Sequence, residues 1–536
     1  MIIGTPLHKA EIENTYDAIV IGSGIGGLTT AACLAKAGKR VLVLERHYTA
    51  GGFTHTYMRK GYEWDVGVHY IGEAHRKESV LRRVFDYVSN EGIEWQQMSD
   101  VYDRIYIGDE SYDFVSGREA FREKLHQYFP EEKNAIDQYL DLIRKVNRAS
   151  SLFFMEKTLP SVLAKIFYKK LTKQYLEYAQ KSTEETLLEL TSNRKLIAVL
   201  TGQWGDYGLP PKESSFVMHA MVAKHYLNGA AYPVGGSSSI ASKIVPVIEA
   251  AGGQVITRAE VDQVLIKNRK AFGVKLSNGS EIKSDIIVSA TGVINTFNGL
   301  IPKEISDSMG LDIKLKDVKP SSAHISAYIG LKIKPDEICP ENTNMWIYKD
   351  EHHDKNIQNF AKNFNMDFPL VYISFPSSKD PKWLENYPGK STIEIVVPTP
   401  YQWFEKWQDS KWQKRGDEYK NLKEEISQSL LESLYEKLPH LRGKIDFIEI
   451  STPLSTAHFS NYKNGEIYGI DHDPKRFKSK WLRTQSPIKN LYLTGQDIVT
   501  CGIGGALSAG VLTSIKILGP LKGRTLIKLM KPIRTR

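Results

Sequence analysis

Three apolar runs in this chain stop on glycine: "AIVIGSGIGG" at 18–27, "IIVSATG" at 286–292 and "NLYLTG" at 490–495. Short, largely apolar runs bounded by glycine predict buried strands. After the first run, "LTTAACLAKAG" predicts a helix and "RVLVLE" a second strand ending on Glu45. Residues 235–292 supply a helix, paired strands turning at Asn278 and Gly279, and the strand that leads into Thr291 and Gly292. After the third run, "GGALSAGVLTSI" predicts a helix of small residues. The pattern is α/β, with one sheet assembled from separate stretches of chain.

Gly22, Gly24 and Gly27 stand in the spacing GxGxxG between the first strand and its helix, with Gly26 inside the same turn. The first glycine permits the tight turn and the second clears the path of a pyrophosphate. The third lets helix and strand approach closely. Free N–H groups and the positive dipole end of the helix then face the phosphates. Glu45 follows, placed to accept the hydroxyls of an adenosine ribose and to repel a 2′-phosphate. Together these predict a dinucleotide site open to NAD or FAD. The next residues, Arg46 and then the paired Gly51 and Gly52, resemble the loop beside the phosphates in flavoproteins of the glutathione-reductase type, which selects FAD.

The C-terminal glycines do not repeat this motif. Gly502, Gly504 and Gly505 are followed by Leu507 where a third glycine belongs, and no acid follows Asp497. That segment is expected to form the far wall of the first site, presenting Gly495, Asp497, Ile503 and Gly504.

With 536 residues, 41% hydrophobic and 25% charged, the chain has material for more than one folded unit, and disorder is excluded. The net charge of +9 concentrates after Asp497 in lysines and arginines, predicting a basic tail over 521–536. No aromatic-interleaved basic strand accompanies it, so nucleic acid is not an expected partner. Cys33, Cys339 and Cys501 lack CxxC spacing, and no histidine pattern suggests a metal. Residues 18–35 and 498–515 reach span length, but their glycines break each into strand, turn and helix. No signal peptide and no transmembrane helix are therefore expected.

"GGFTHTYMRKGYEWDVGVHYIG" at 51–72, "YPVGGSSSIASKIVPVIEAAGGQVITRAEVDQVLI" at 232–266 and "YLTGQDIVTCGIGGALSAG" at 492–510 resemble the phytoene desaturase superfamily. Within it, "FPSSKDPKWLENYPGKSTIEIVVPTPYQWFEKWQ" at 375–408 and "YGIDHDPKRF" at 468–477 resemble the retinol saturases, with carotenoid isomerases as near relatives. The resemblance implies a Rossmann-type FAD domain, built from 1–75, 231–300 and 484–520. It is interleaved with a mixed α+β, membrane-facing substrate domain from 76–230 and 301–483. It places the backbone of Val261 beside the adenine and the loop of Thr291 and Gly292 near a non-covalent FAD; with no second nicotinamide fingerprint in the sequence, transient NAD(P)H, a ferredoxin-like protein or a membrane quinol are the open choices of reductant. The implied reaction saturates one double bond of retinol or a related isoprenoid polyene. Carotenoid desaturation or cis–trans isomerisation is the alternative on the same cofactor, and a flavin-free prenyl-lipid carrier of the GDP-dissociation-inhibitor type is the alternative of another class. Animal saturases begin with a hydrophobic leader that this sequence lacks, so a peripheral position on the cytoplasmic face of a membrane is expected.

Saturation needs a hydride and a proton on adjacent carbons. His69 and Tyr70, in the segment that the resemblance carries under the flavin ring, are the catalytic candidates, with His69 the first choice for the proton. Asp65 is expected to fix the loop by accepting backbone N–H bonds. Trp204, Asp206, His219 and His225 fall in a region that could face the substrate, with core or loop roles the favoured reading. From Pro160 onward, Leu163, Ile166, Phe167 and Leu171 line one helical face and Lys165, Lys169 and Lys170 the other, a pattern that fits either membrane docking or the substrate-domain core.

Overall fold

The computed structural model describes residues 2–339, 341–363, 366–531 and 533. Six short strands form one sheet in the order Thr5–Pro6, Gln254–Thr257, Val41–Leu44, Ala18–Ile21, Ile287–Ser289 and Leu491–Leu493, every neighbouring pair parallel. The four central strands are wholly or almost wholly buried, which explains their unbroken apolar runs, since a parallel sheet is covered on both faces. Ile21 pairs with Leu44 on one side and Ser289 on the other, so the two glycine-terminated strands end level, at the carboxyl edge of the sheet.

Small residues explain how the covering helices fit. Every residue of the Ile25–Ala35 helix is buried, and the Gly502–Lys522 helix crosses it. A Cβ on Gly510 would lie 2.6 Å from Thr29 Cβ, and one on Gly26 would lie 2.8 Å from Gly495 Cα. Larger side chains would force the two helices apart.

A second sheet of seven strands forms a roof, in the order Ile445–Ser451, Ala323–Leu331, Ser391–Thr399, Val371–Ser374, Asn344–Tyr348, Val101–Ile107 and Glu110–Val115. Strict alternation divides its two faces. Ile325, Ala327, Ile329, Ile393 and Ile395 point outward into a core capped by the Asp417–Lys437 helix through Leu422, Ile426, Leu430 and Leu434. His324, Ser326, Tyr328, Glu394 and Val396 occupy the intervening positions, paired across the strands as Tyr328 with Glu394 and Ser326 with Val396.

The helical part holds Lys133–Glu156, Ser161–Ala179 and Phe216–Tyr226. The helix after Pro160 buries Ala164, Thr172, Tyr175 and Ala179, leaving Val162 at 70%, Leu163 at 42%, Ile166 at 66% and Phe167 at 43% exposure. Its apolar face is therefore turned outward.

Residues read as a basic tail fold into a further helix, Arg524–Leu529, with Leu526 buried; Pro532, Arg534 and Arg536 lie outside the described residues. The Gly502–Lys522 helix also runs long enough, and is apolar enough, to cross a membrane. Half of its most apolar window is buried in the fold, and Gly519, at φ 71°, kinks it before Pro520.

Candidate functional site

The glycine turn works through backbone. Gly22, at φ 95°, lets the chain turn out of the sheet, and a Cβ on Gly27 would meet Gly22 O at 2.2 Å, so helix and turn touch. Above Gly24 the result is opposite: a Cβ there would meet nothing within 4 Å. Gly495 and Gly502 are equally open, and all three line one cavity. These bare backbones form a cradle of the kind a pyrophosphate and an adjoining flavin occupy.

Glu45 is buried at its rim, Oε2 accepting from Ser23 N at 2.8 Å and Ser23 Oγ at 2.7 Å, and Oε1 from His47 N at 2.8 Å. Gly51 N also lies 3.2 Å from Ser23 O, tying the paired-glycine loop to the first turn. Because each carboxylate oxygen has two acceptor directions, capacity remains for a ribose hydroxyl.

The cavity measures ≈ 1460 Å³, whereas pockets for single small ligands run about 300–1,000 Å³. It has room for a dinucleotide and a second occupant. From the glycine cradle it extends beneath the roof, past Trp346 and Tyr372, and on between Leu81, Phe154, Met155, Met221, Leu512, Met530 and Ile533. That extension is largely apolar. Trp204 Nε1 and His324 Nδ1 on its walls are buried without a hydrogen-bond partner among the described residues, polar atoms to which a ligand could bond.

Of the residues singled out in the sequence, Gly22, Gly24, Gly26, Gly27, Glu45, Arg46, Gly51, Gly52, Val261, Thr291, Gly495, Ile503, Gly504, His69 and Tyr70 all line this cavity. Gly292 and Asp497 are not in its wall. Asp497 is buried behind the wall, Oδ2 accepting from Val293 N at 2.7 Å and Oδ1 from Ile470 N at 3.0 Å. Its work is to pin the Thr291–Gly292 loop to the C-terminal segment rather than to reach a ligand. Arg46 lies at the rim, donating to His458 O and paired with Glu260.

His69 is held differently from a free proton donor. Its Nδ1 lies 2.6 Å from Glu394 Oε2, while Glu394 Oε1 accepts from Asp65 N at 2.7 Å. In water such a contact would be an ion pair; here burial lowers His69 to about 4, the Lys379 charge adding to the effect, and raises Glu394 to about 8. Burial thus disfavours the charged form of each. Asp65 accepts from Ser237 N at 2.9 Å and Tyr232 Oη at 2.6 Å, the loop-fixing part read for it in the sequence, and burial lifts it to about 7. Lys379, buried and lowered to about 8 by burial, donates to His69 O at 3.0 Å and Ser374 Oγ at 2.7 Å.

Tyr70 stacks on Tyr226 at 4.4 Å and reaches two acids, Asp103 at 2.9 Å and Asp206 at 3.3 Å. Sequence reading missed Glu394, Asp103 and Lys379, and it set Asp206 in a substrate-facing region with a core or loop role as the favoured alternative. The available signal was an acid within an apolar strand, as in "STIEIVVPT". His219 lies between Tyr139 and Tyr207, and His225, which also lines the cavity, accepts from Gly72 N at 2.9 Å. His472 accepts from Cys501 N at 2.8 Å and so shapes the C-terminal wall.

Comparison with known proteins agrees with this geometry. Residues 25–295 match the family "Flavin containing amine oxidoreductase". The chain is 38% identical over 524 residues to the all-trans-retinol 13,14-reductase of Danio rerio, covering 94% of this chain and 86% of that protein. An inactive all-trans-retinol 13,14-reductase of the same species is 32% identical over 530 residues, covering 95% and 86%, so membership alone does not confer activity. Prolycopene isomerase 1 of an Oncidium hybrid cultivar is 25% identical over 566 residues, covering 99% and 90%. Among solved structures, putrescine oxidase bound to putrescine shares the fold, with a TM-score of 0.61 at 15% identity over 94% of this chain and 99% of that one. The chain is a flavin oxidoreductase and belongs to the all-trans-retinol 13,14-reductase family.

Proposed function

We propose that this chain uses a non-covalent FAD to saturate one carbon–carbon double bond of an isoprenoid polyene, all-trans-retinol or a close relative. The carrying observation is the single cavity: a glycine cradle with bare backbone at one end runs into an apolar extension, and His69 and Tyr70 stand in its wall. When bound and reduced, the flavin supplies the hydride. The protein's part is to hold the cofactor, orient the polyene along the aromatic wall and exclude water.

Gly22, Gly24, Gly27, Glu45 and the Gly51–Gly52 loop would hold the nucleotide, with Val261 toward its adenine end. Thr291, Gly495, Ile503 and Gly504 close the flavin end, with Gly292 and Asp497 supporting them from behind. Cys501 lies in the cavity wall, but burial pushes its thiol up to about 12, so it stays protonated and is a poor candidate for a covalent flavin link. A dihydronicotinamide, NADH or NADPH, serves as transient reductant. The division into an FAD region (1–75, 231–300, 484–520) and a substrate region (76–230, 301–483) follows the two sheets. Carotenoid desaturation or isomerisation would use the same cavity, and a flavin-free carrier would not need the open backbone at Gly24.

The exposed face of Val162, Leu163, Ile166 and Phe167, flanked by exposed Lys165, Lys169, Lys170 and Lys173, suits an anionic membrane surface. It follows Phe154 and Met155 of the cavity wall, and Lys516 of the long C-terminal helix donates to Leu159 O at 3.3 Å beside it. A lipid substrate would enter from that side. The test is incubation of the reduced holoprotein with all-trans-retinol and, separately, with a carotenoid: a retinoid two mass units heavier is expected, and isomerised or desaturated carotenoid as the only product would refute saturation.

A further inference from the structure

Two carboxyl groups beneath the cavity compete for one hydroxyl. Tyr70 Oη stands 2.9 Å from Asp103 Oδ2 and 3.3 Å from Asp206 Oδ2, and it has one proton to donate. Asp103 is well served by others, Gln203 Nε2 donating at 2.7 Å and Asn344 Nδ2 at 2.9 Å. Asp206 receives no amide; among the described residues its other partner is the Tyr226 hydroxyl. Two carboxylates so close to one hydroxyl, Asp103 fully buried and Asp206 largely so, repel if both ionise, so the pair retains a proton. The donors place the negative charge on Asp103 and the proton on Asp206. Asp206 is also the one in contact with ligand space: it is partly accessible and lines the cavity, whereas Asp103 is fully buried and does not.

We infer that Asp206 is the proton donor of the saturation. The inference rests on the reaction proposed above and assigns its second half. As the hydride forms a C–H bond at one carbon, the π pair forms the other C–H bond with the Asp206 proton, whose O–H bond breaks. Asp206 is left as a carboxylate. Tyr70 Oη, already close, then turns its proton from Asp103 to Asp206, and Asp103 keeps its two amide donors. Water returns the proton after product leaves, and a two-electron reductant of the dihydronicotinamide class replaces the hydride electrons. His69, neutral and tied to Glu394, is a positioning residue in this scheme.

Asp206 is faced by Asp103 from the Val101–Ile107 strand, Tyr226 from the Phe216–Tyr226 helix, Tyr348 and Tyr372 from the roof, and Tyr70, Tyr468 and Cys501 from loops. All are acids or neutral groups. Burial first, and then the Asp103 charge, raises the Asp206 carboxyl to about 8.

The test uses the purified flavoprotein. Infrared spectra at pH 7 should show a protonated-carboxyl band that D206N loses and that bleaches in the wild type as pH rises through about 8. In D206N, flavin binding and the flavin-spectrum change on adding all-trans-retinol should persist, while dihydroretinoid formation falls about 100-fold or more. D206E should restore part of it. Y70F removes a donor to the product carboxylate, so the alkaline limb of the wild-type rate profile should move upward; this variant decides the matter if D206N fails to fold. Turnover by D206N within about threefold of wild type, or an unmoved limb in Y70F, overturns the assignment. A wild type that binds flavin, shows the band and makes no dihydroretinoid overturns the saturase reading itself, and the donor role falls with it.

Discussion

The two ends of the cavity are built from opposite materials. At the nucleotide end the functional surface is backbone: bare Gly24, Gly495 and Gly502, with Glu45 the principal acid at the rim. At the other end it is a set of buried or half-buried ionisable side chains, His69, Glu394, Asp65, Lys379, Asp103, Asp206 and Tyr70, most of them shifted toward neutrality. The proposed cofactor end is therefore specified by absence of side chains, and an added atom there would stand in the cavity. The reaction end is specified by which groups hold protons, and its geometry tolerates isosteric replacement while its chemistry does not.

The largest effect should separate two glycines of one turn. Gly27→Val drives a side chain into Gly22 O and should yield no folded, soluble protein, whereas Gly24→Val projects into open cavity. That variant should fold, with thermal unfolding of the flavin-free protein close to wild type, and lose flavin affinity at least tenfold, about 1.4 kcal/mol, by fluorescence titration. Equal damage from both would erase the distinction between packing and cradle glycines.

A smaller effect should appear at the reaction end. Asp65, Asp206 and Glu394 hold protons in the fold up to about pH 7 or 8, which the unfolded chain releases near its ordinary carboxylate range. Their contribution to stability is complete below that range and is lost as pH rises through 7 to 8. Denaturant midpoints should fall between pH 5.5 and pH 8.5, and Glu394→Gln, which keeps both hydrogen-bond positions, should reduce that fall by on the order of 1 kcal/mol. An unchanged pH dependence would mean Glu394 is ionised beside His69.

The smallest change in stability should come from the outward helix. Replacing Val162 and Ile166 together with Glu touches exposed positions and should alter stability by about 0.5 kcal/mol or less. Flotation with anionic vesicles should drop sharply, while turnover of detergent-dispersed retinol stays near wild type. Undiminished vesicle binding would place the membrane contact elsewhere.

The same contrast explains what the sequence disclosed. Gly22, Gly24, Gly27 and Glu45 stood out because a turn, a phosphate approach and a ribose contact would each demand one residue type at one spacing, and all four line the cavity. So did the far wall, because Leu507 and the missing acid excluded a second nucleotide unit. Glu394, Asp103 and Asp206 come from strands and a turn far apart in the chain, and only the crossing of the roof over the 65–70 loop joins them. Asp497 carried the right residue type at the right place and still faces backbone, since Val293 and Ile470 N–H groups take both its oxygens. The outward turn of Ile166 and Phe167 was equally hidden: an amphipathic period fixes that a helix has an apolar face, and tertiary packing decides where it points.

The most direct test of the central claim, that one cavity brings a flavin and a polyene together, is an anaerobic single turnover followed by absorbance. Reduced holoprotein mixed with one equivalent of all-trans-retinol should regain the oxidised flavin bands while the polyene absorbance falls in equal amount. A flavin that stays reduced while retinol is unchanged, or a purified protein that binds no flavin, would contradict it.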